Sequence, residues 1–456
     1  FLTSADNRAL REKVWTTYYS RGDMGGATDN NAIITEILQL RYQRAQLLGY
    51  ESHAHWRLEP QMAGTPEKAI KLMEAAWTPG VQAVKKDVAE MQKIVDTEGG
   101  KFKIAAWDYR YYAEKLRKEK YDLDFNEVKP YMQMEKLRDG MFWAAGKLYD
   151  LHFSLRPDIK TYHAEVTAWE VKNGKGQHIG LWYFDPYARA GKRSGAWMNA
   201  YRGQENLSEF VTPIVSNNSN FMKGQGNEPV LISWDDAETM FHEFGHALHG
   251  LLSNVKYPTL AGTATARDFV EFPSQINEHW LSTPEVLNQF ALHYKTGKPI
   301  PKALVEKIES ATNFNEGFRT MEYLGSAMID MKIHLAGGKP IDPDKFEREE
   351  LKKLGMPEEI VMRHRTPHFG HVFAGDGYSA GYYSYLWSDS LTADAWEAFM
   401  EGKGAWDKDV AKRFVDTILS RGNTKDQAEM FREFRGRDVQ TEALMRKRGF
   451  AAPAKN

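Results

Sequence analysis

The sequence predicts a mostly α-helical protein with more than one lobe and a small β element among the helices. Apolar residues recur at helical spacing through about the first 150 residues, which indicates consecutive amphipathic helices. Two β-rich segments flank Asn173 and Gly174, a pair typical of a hairpin turn. A chain of 456 residues is too long for one small core, so we expect two or three domains or lobes.

The helical part of the chain carries start signals and one possible break. Thr65 and Pro66 are typical of a helix cap and a first helical residue. The helix that they begin is expected to bend or break at Pro79, because proline lacks the N–H that a helix interior needs. Apolar spacing predicts further helices over Ala32 to Leu48, Trp107 to Lys120, Phe125 to Phe153 and Asn315 to Leu335.

The β element is predicted over Val166 to Lys172 and His178 to Phe184, and a Gly- and Arg-bearing loop follows over Asp185 to Met198. A short buried strand that leads into the next helix is predicted over Pro229 to Ser233. Such a strand can pair with an extended peptide.

These changes in character divide the chain into three expected domains. A helical segment over 1–52 is expected to pack with the last lobe, and a helical lobe with the hairpin occupies 53–205. The last lobe, over 206–456, contains the motifs that point to chemistry and ends in a loose tail from Ala451 to Asn456.

Composition excludes several classes of function. Lys plus Arg total 60 and Asp plus Glu 62, so the net charge of −2 gives no electrostatic footprint for nucleic acid. No apolar run approaches the roughly 18 residues that a membrane span requires. Since the chain has no cysteine, histidine and carboxylate side chains must hold any metal.

The chain opens at Phe1 with neither an initiator methionine nor a signal-peptide pattern. The residues that follow already have a helical pattern, so we expect a processed or truncated piece of a longer protein. We expect a monomer in the cytoplasm, with the periplasm as the alternative.

One segment, Trp234 to Leu252, predicts a helix with a stripe of histidine and glutamate beside a broad apolar face. At 100° per residue from Glu238, His242 lies at about 40°, His246 at about 80° and Glu243 at about 140°. The i, i+4 spacing of the H-E-x-x-H motif therefore places both imidazoles where they can hold one tetrahedral ion. Glu243 is turned away from that ion but can reach a water on it, and Glu238 is a candidate to orient an imidazole.

The third ligand is expected from a carboxylate further along the chain. Leu252 occupies the position at which the extended metzincin motif has its third histidine, which excludes that branch. Downstream, Glu271, Gln275 and Glu278 are spaced to share one side of a second helix. Glu271 would begin this helix, which is a good position from which to reach the first one.

Gly370 to Trp387 combines glycines with regularly spaced aromatic residues. The four glycines predict a flexible or tightly turned loop, and a helix is expected to begin near Tyr378. Tyr378, Tyr382 and Tyr385 would share one face of that helix. Either these aromatic residues pack a core, or their hydroxyls line a cleft to which a mobile loop brings Tyr378 and His371.

Four segments together resemble the thimet oligopeptidase family of zinc metallopeptidases, and most closely its bacterial peptidyl-dipeptidase branch. They are FHEFGHALHG, GTATARDFVEFPSQINEHW, HVFAGDGYSAGYYSYLW and ILSRGN. The resemblance covers Asn7 to Gly449 and corresponds to the later part of such a protein. It implies a zincin-type, mostly helical fold in which two largely helical lobes face a deep channel, with a small β element near the site and one zinc ion on the channel floor.

The resemblance also implies roles for individual residues. The zinc ligands would be His242, His246 and Glu271, and short peptides would be the substrates. His371, Tyr378 and Tyr385 would contact the substrate or its transition state, and Tyr382 is added because it shares the same helical face.

The expected mechanism is hydrolysis of a peptide bond by a zinc-activated water, with Glu243 moving the proton and Tyr378 and His371 stabilising the oxyanion. We expect release of C-terminal dipeptides, with Lys192, Arg193 and the tyrosines of the 378–385 face as candidate partners of the terminal carboxylate. Cleavage of internal bonds in oligopeptides is the alternative. An inactive peptide-binding protein or an inactive fragment is also possible, although a binding protein has no need of the base Glu243.

Overall fold

The protein, described here from a computed structural model, divides into two compact units. The structure describes residues 1–224, 226 and 228–451, so the predicted tail lies outside it beyond Ala451. Unit 1 comprises 1–123, 307–387 and the C-terminal segment from 445, and unit 2 comprises 124–306 and 388–444. The domains predicted from the sequence were contiguous, whereas these units are not, and the two descriptions divide the chain at different residues.

The described residues are mostly helical, as predicted, with a five-stranded sheet and a two-stranded sheet formed by β5 and β6. The α-helices are Arg8–Tyr19 (α1), Asn31–Leu47 (α2), His53–Leu58 (α3), Pro66–Thr97 (α4), Ala106–Tyr121 (α5), Phe125–Val128 (α6), Met134–Tyr149 (α7), Trp234–Leu251 (α8), Arg267–Val270 (α9), Phe272–Glu278 (α10), Pro284–Phe290 (α11), Lys302–Ser310 (α12), Glu316–Leu335 (α13), Pro343–Lys353 (α14), Gly370–Phe373 (α15), Ser384–Glu401 (α16), Lys408–Phe414 (α17), Gln427–Arg435 (α18) and Thr441–Lys447 (α19). The strands are Leu151–Leu155 (β1), Thr167–Asn173 (β2), His178–Tyr187 (β3), Trp197–Arg202 (β4), Glu205–Asn206 (β5), Phe210–Val211 (β6) and Ile214–Phe221 (β7).

In unit 1 the long helix α4 packs against α13. Thr65 caps α4 with its hydroxyl, as predicted, and the helix continues through Pro79 without the predicted break. Gly80 allows α13 to approach α4 closely next to this proline, because a Cβ there would lie 2.8 Å from the sulfur of Met321 on α13. The close packing of the two helices stabilises α4 across the position where proline removes one hydrogen bond.

Unit 2 contains a five-stranded sheet with the order β1-β2-β3-β7-β4. The predicted hairpin is present as the antiparallel pair β2–β3, and β7 pairs parallel with β3 at its centre. The predicted strand at Pro229 to Ser233 is wrong, because Leu231 makes only an isolated bridge with Gln133. The predicted helix over 125–153 is partly wrong, since its last residues belong to β1.

Helix α8 covers the sheet of unit 2 through an aromatic core. Trp182 on β3 is fully buried, and its ring centroid lies 5.7 Å from that of Phe244 on α8. At Gly250 a Cβ would lie 2.9 Å from a methyl of Val215, so α8 lies directly against β7. None of the described helices is long and apolar enough to cross a membrane.

Candidate metal centre and glycine–tyrosine segment

Helix α8 begins where the sequence predicts, because its first turn is capped from both sides. The hydroxyl of Ser233 accepts a hydrogen bond from the N–H of Asp236 at 3.0 Å, and the Asp236 carboxylate accepts one from the Ser233 N–H at 3.1 Å. Asp235 adds a negative charge where the helix dipole favours it. The apolar face of α8 is buried, and its packing fixes the rotation of the helix. The direction of the histidine side chains on the other face is fixed as a result.

Glu271 precedes α10 at its cap position, and Pro273 lies in the first turn, as predicted. The hydroxyl of Ser274 donates to the main-chain oxygen of Glu271 at 2.8 Å and lies 3.4 Å from its carboxylate. The Glu271 carboxylate is therefore attached at the start of a helix whose backbone is held in place.

Gly245 allows α10 to approach α8. A Cβ at this position would lie 2.6 Å from both the carbonyl oxygen of Pro273 and the Cα of Ser274, so any larger residue must displace the α10 backbone. Asn277 closes the same contact, because its amide donates to the main-chain oxygen of Phe241 at 2.6 Å. This contact fixes the distance from Glu271 to the histidines of α8.

The three predicted ligands lie together. The Nε2 atoms of His242 and His246 are 3.2 and 3.1 Å from the same oxygen, Oε2 of Glu271. One ligand atom from each residue lies within 4.8 Å of the other two. Burial alone would raise the pKa of the Glu271 carboxyl, but the two histidines hold it well below its ordinary range.

A further carboxylate orients His242. The Nδ1 atom of His242 lies 2.6 Å from Oε1 of Glu278, so the imidazole ring directs its Nε2 atom towards Glu271. Glu238, the candidate for this role from the sequence, accepts a hydrogen bond from the indole N–H of Trp234 at 2.9 Å. The signal for Glu278 was already present, because it lies seven residues after Glu271 on the same side of the second helix.

Glu243 is buried and directly follows His242 in the sequence. It does not belong to the group of three ligand residues. Burial raises the pKa of its carboxyl, and the electrostatic interaction with His242 and His246 opposes that rise. Its Oε2 has no hydrogen-bond partner among the described residues. Its main-chain oxygen accepts a hydrogen bond from the amide of Asn217 on β7, a contact that the sequence did not predict.

His249 lies one turn beyond His246 and is fully buried. Neither of its ring nitrogens has a partner within the described part of the chain, and burial lowers its pKa to about 3. It is therefore neutral, and it does not join the three ligand residues.

The predicted aromatic group of unit 1 also comes together. The ring of His371 lies 5.7 Å from Tyr378 and 5.4 Å from Tyr382, between ring centroids. Tyr378 and Tyr385 stack nearly parallel at 5.5 Å. His371 is exposed and these two tyrosines are half-buried, whereas Tyr382 is only 4% exposed.

The predicted helix start near Tyr378 is wrong. Residues 378–383 form turns, and α16 begins at Ser384. The left-handed conformation of Ala380, with φ of 52°, interrupts any helix at this point. The three tyrosines are consequently grouped by a turn rather than by a helical face.

The two cations proposed for a substrate carboxylate differ in their surroundings. The Lys192 ammonium is buried and donates to Asp185 Oδ1 at 2.9 Å and to the main-chain oxygens of Asp185, Tyr187 and Ser219. These contacts use all its donors, so Lys192 is structural. Arg193 is exposed, with its guanidinium 5.1 Å from the centre of the Trp197 ring.

Comparison with known proteins identifies relatives over nearly the whole chain. The profile of Peptidase family M3 matches residues 1–450. The dipeptidyl carboxypeptidase of Escherichia coli K12 is 39% identical over 453 residues, which are 98% of this chain and 66% of that protein. The oligopeptidase A of Salmonella typhimurium LT2 is 34% identical over 454 residues, or 97% of this chain and 66% of that protein. The chain thus spans 66% of the length of both relatives.

Solved structures with low sequence identity share the fold. The M32 carboxypeptidase from Deinococcus radiodurans R1 aligns with a TM-score of 0.56 at 12% identity, covering 97% of this chain and 78% of that one. PZ peptidase A aligns with a TM-score of 0.56 at 15% identity, covering 99% and 70%.

The contact at Gly245 predicts a specific loss of metal. In Gly245→Ala the new Cβ must displace α10, which carries Glu271 away from the histidines, so we expect metal affinity to fall about tenfold or more. Gly250→Ala is the matched control on α8, because its Cβ would meet only the ends of the Val215 and Met198 side chains. Zinc titration of both variants checks the expectation. Equal affinities would show that the close approach of α10 is not required.

Proposed function

Because the chain belongs to Peptidase family M3, we propose that it is a zinc metallopeptidase that hydrolyses short peptides. The observation that carries this proposal is the convergence of two imidazoles on one buried carboxylate, that of Glu271. Glu243, adjacent in sequence to one of the imidazoles, supplies the base that a hydrolase needs.

The ligand group fits zinc. Two ligand atoms at about 2.0–2.1 Å from a tetrahedral zinc lie roughly 3.3 Å apart, close to the separations of 3.1 and 3.2 Å between the histidine nitrogens and Glu271. Two neutral imidazoles and one carboxylate are a common donor set of catalytic zinc. When bound there, zinc supplies Lewis-acid chemistry, which polarises a carbonyl and lowers the pKa of water.

Glu243 is suited to moving the proton. Its pKa is raised by burial, which brings the carboxylate nearer to the basicity at which it can accept a proton from the attacking water. The same carboxyl then donates this proton to the departing amine nitrogen. Its unpartnered Oε2 is an acceptor that the described part of the fold leaves unused.

We assign stabilisation of the oxyanion to the hydroxyl of Tyr378, assisted by His371, and contact with the substrate to Tyr385. The exposure of His371 and the partial exposure of the two stacked tyrosines support these roles. Tyr382 is the weaker candidate for substrate contact, because burial covers its side chain and raises its pKa to about 12.

Release of C-terminal dipeptides is the cleavage that we propose. The higher identity to a dipeptidyl carboxypeptidase, 39% against 34% for an oligopeptidase A, favours it. Arg193 is the exposed cation that we assign to the terminal carboxylate of the substrate. Cleavage of internal bonds is the second candidate, and the relatives named oligopeptidase A favour it.

Glu243→Gln separates the base from the metal ligands. We expect the variant to bind zinc as the wild type does and to lose hydrolysis, because glutamine cannot accept the proton. Metal analysis and hydrolysis of a quenched peptide check this. Loss of zinc together with activity would instead make Glu243 a ligand.

Tyr378→Phe is expected to lower kcat by about 10²–10³ with little change in KM, since the hydroxyl would meet only the developing oxyanion. Tyr382→Phe is the comparison from the same aromatic group, and we expect its kcat to stay near that of the wild type. Steady-state kinetics on both variants, with thermal melting, decides the matter. A normal kcat for Tyr378→Phe would assign this tyrosine to packing.

Amidation of the substrate tests where it is cut. A peptide with a free C-terminus should lose its last two residues, and its amide should be hydrolysed much more slowly because the recognised charge is gone. Mass spectrometry of the products gives the cleavage positions. If both peptides are hydrolysed at equal rates and give internal products, the proposal of dipeptide release is wrong and cleavage of internal bonds takes its place.

A further inference from the structure

The segment from Gly370 to Tyr385 is held by buried polar side chains from α2, α3 and α13 of the same unit. We propose that Asp330, Arg41 and His53 are positioning residues, which fix the main chain on both sides of Tyr378 and thereby place its hydroxyl and the ring of His371. The inference rests on the function proposed above, in which these two groups meet the substrate. The proposal concerns the main-chain position of this segment, which these side chains contact directly.

Asp330 holds the turn directly after Tyr378. Its Oδ1 accepts a hydrogen bond from the N–H of Ala380, and its Oδ2 accepts one from the N–H of Tyr382, both at 2.9 Å. The carboxylate is only 2% exposed, so no bulk water competes for these two bonds. Each oxygen of one anion therefore fixes a different peptide group of the turn.

The turn requires such a restraint at Ala380. This residue is buried and adopts φ of 52°, a left-handed conformation in which its Cβ crowds the following carbonyl oxygen. Alanine rarely adopts this conformation on its own, and the surroundings must impose it. The two bonds from Asp330, on either side of Gly381, supply that constraint.

Arg41 holds the part of the segment that precedes Tyr378. Its guanidinium donates to the main-chain oxygens of Val372 at 2.7 Å and Gly375 at 3.0 Å. It also pairs with the Asp376 carboxylate at 2.9 Å. A planar group with five donors can hold three such acceptors at once, which a lysine ammonium at the same place cannot do with the same geometry.

His334 connects the two charged groups. Its Nε2 lies 3.0 Å from Nη1 of Arg41, and since arginine can only donate, this nitrogen must be the acceptor. The proton of the neutral ring is then on Nδ1, which donates to the main-chain oxygen of Asp330 at 2.8 Å and lies 3.1 Å from its Oδ1. The guanidinium and the carboxylate thus belong to one continuous network.

His53 fixes the residue after Tyr378. Its Nε2 lies 2.8 Å from the hydroxyl of Ser379, and this hydroxyl donates to the main-chain oxygen of Asp376 at 3.0 Å. The hydroxyl proton is used in that bond, so Nε2 of His53 is the donor. Burial lowers the pKa of His53, which keeps the ring neutral and this arrangement intact.

A network of buried charges is a costly way to fill a core, since apolar side chains of similar size are often as stabilising. Here the buried groups bond mainly to main-chain atoms of one segment, at residues 372, 375, 380 and 382. This distribution favours a role in placing that segment over a role in stability alone.

Asp330→Asn tests the proposal because asparagine keeps the size and removes one acceptor. Its NH₂ group would face a main-chain N–H, so one of the two bonds is lost. We expect kcat to fall about 10- to 100-fold with KM and zinc content nearly unchanged. Asp108→Asn is the matched control, a fully buried carboxylate of the same unit that accepts from Arg8, Arg11 and the Ala105 N–H.

Hydrogen exchange of the full chain gives a second readout that does not depend on hydrolysis. In Asp330→Asn, exchange of the amides in 376–383 should accelerate at least about tenfold, the effect of losing one bond to a charged group. In Asp108→Asn these amides should exchange as in the wild type. Arg41→Lys should accelerate exchange in 372–383 and replaces Asp330→Asn if that variant does not fold.

The outcomes separate the inference from the proposed function. Unchanged exchange in 372–383 in the folded variants would overturn the inference, whatever the enzyme does. Faster exchange with an undiminished kcat would also overturn it, because the segment would then need no fixed position. If exchange accelerates while the wild type hydrolyses no peptide, the anchoring stands and the proposed function fails.

Discussion

The metal centre depends on the distance between two helix backbones. Glu271 can meet both imidazoles with one oxygen only if α10 lies against α8, and Gly245 provides the space for this approach. The charge of Glu271 is buried, so it must be balanced by its two histidine partners. The sheet behind α8, the cap at Ser233 and the amide of Asn277 all act to keep this one separation constant.

The features that were predicted from the sequence are those determined by local spacing. The cap of α8, the stripe of His242 and His246, and the start of the second helix at Glu271 all follow from the 3.6-residue repeat and from residues within one or two turns. The hairpin was visible for the same reason, because its turn residues lie next to its strands. Most of the candidate metal centre could therefore be assembled before any tertiary contact was known.

The features that were not predicted depend on distant partners. Strand β7 contains Ser216, Asn217, Asn218 and Ser219, which have a low preference for strands, and it is stabilised by pairing with both β3 and β4. Likewise, Glu238 lies one turn before His242 in the sequence, whereas Glu278 lies 36 residues after it and reaches its ring only through the packing of α10 on α8. The turn at Ala380 is imposed by a carboxylate 50 residues earlier in the chain, so its aromatic residues looked helical in the sequence.

The composition of unit 1 has a consequence for synthesis on the ribosome. Its first 123 residues leave the exit tunnel long before α13, because the intervening segment Asp124–Glu306 belongs to unit 2. At 5–20 residues per second, those roughly 180 residues take about 10 to 40 s to translate. During that time the face of α4 that will meet Met321 has no partner, so the nascent chain carries exposed apolar surface that a chaperone could recognise. The ligands of the metal centre, by contrast, emerge within 30 residues of each other, from His242 to Glu271.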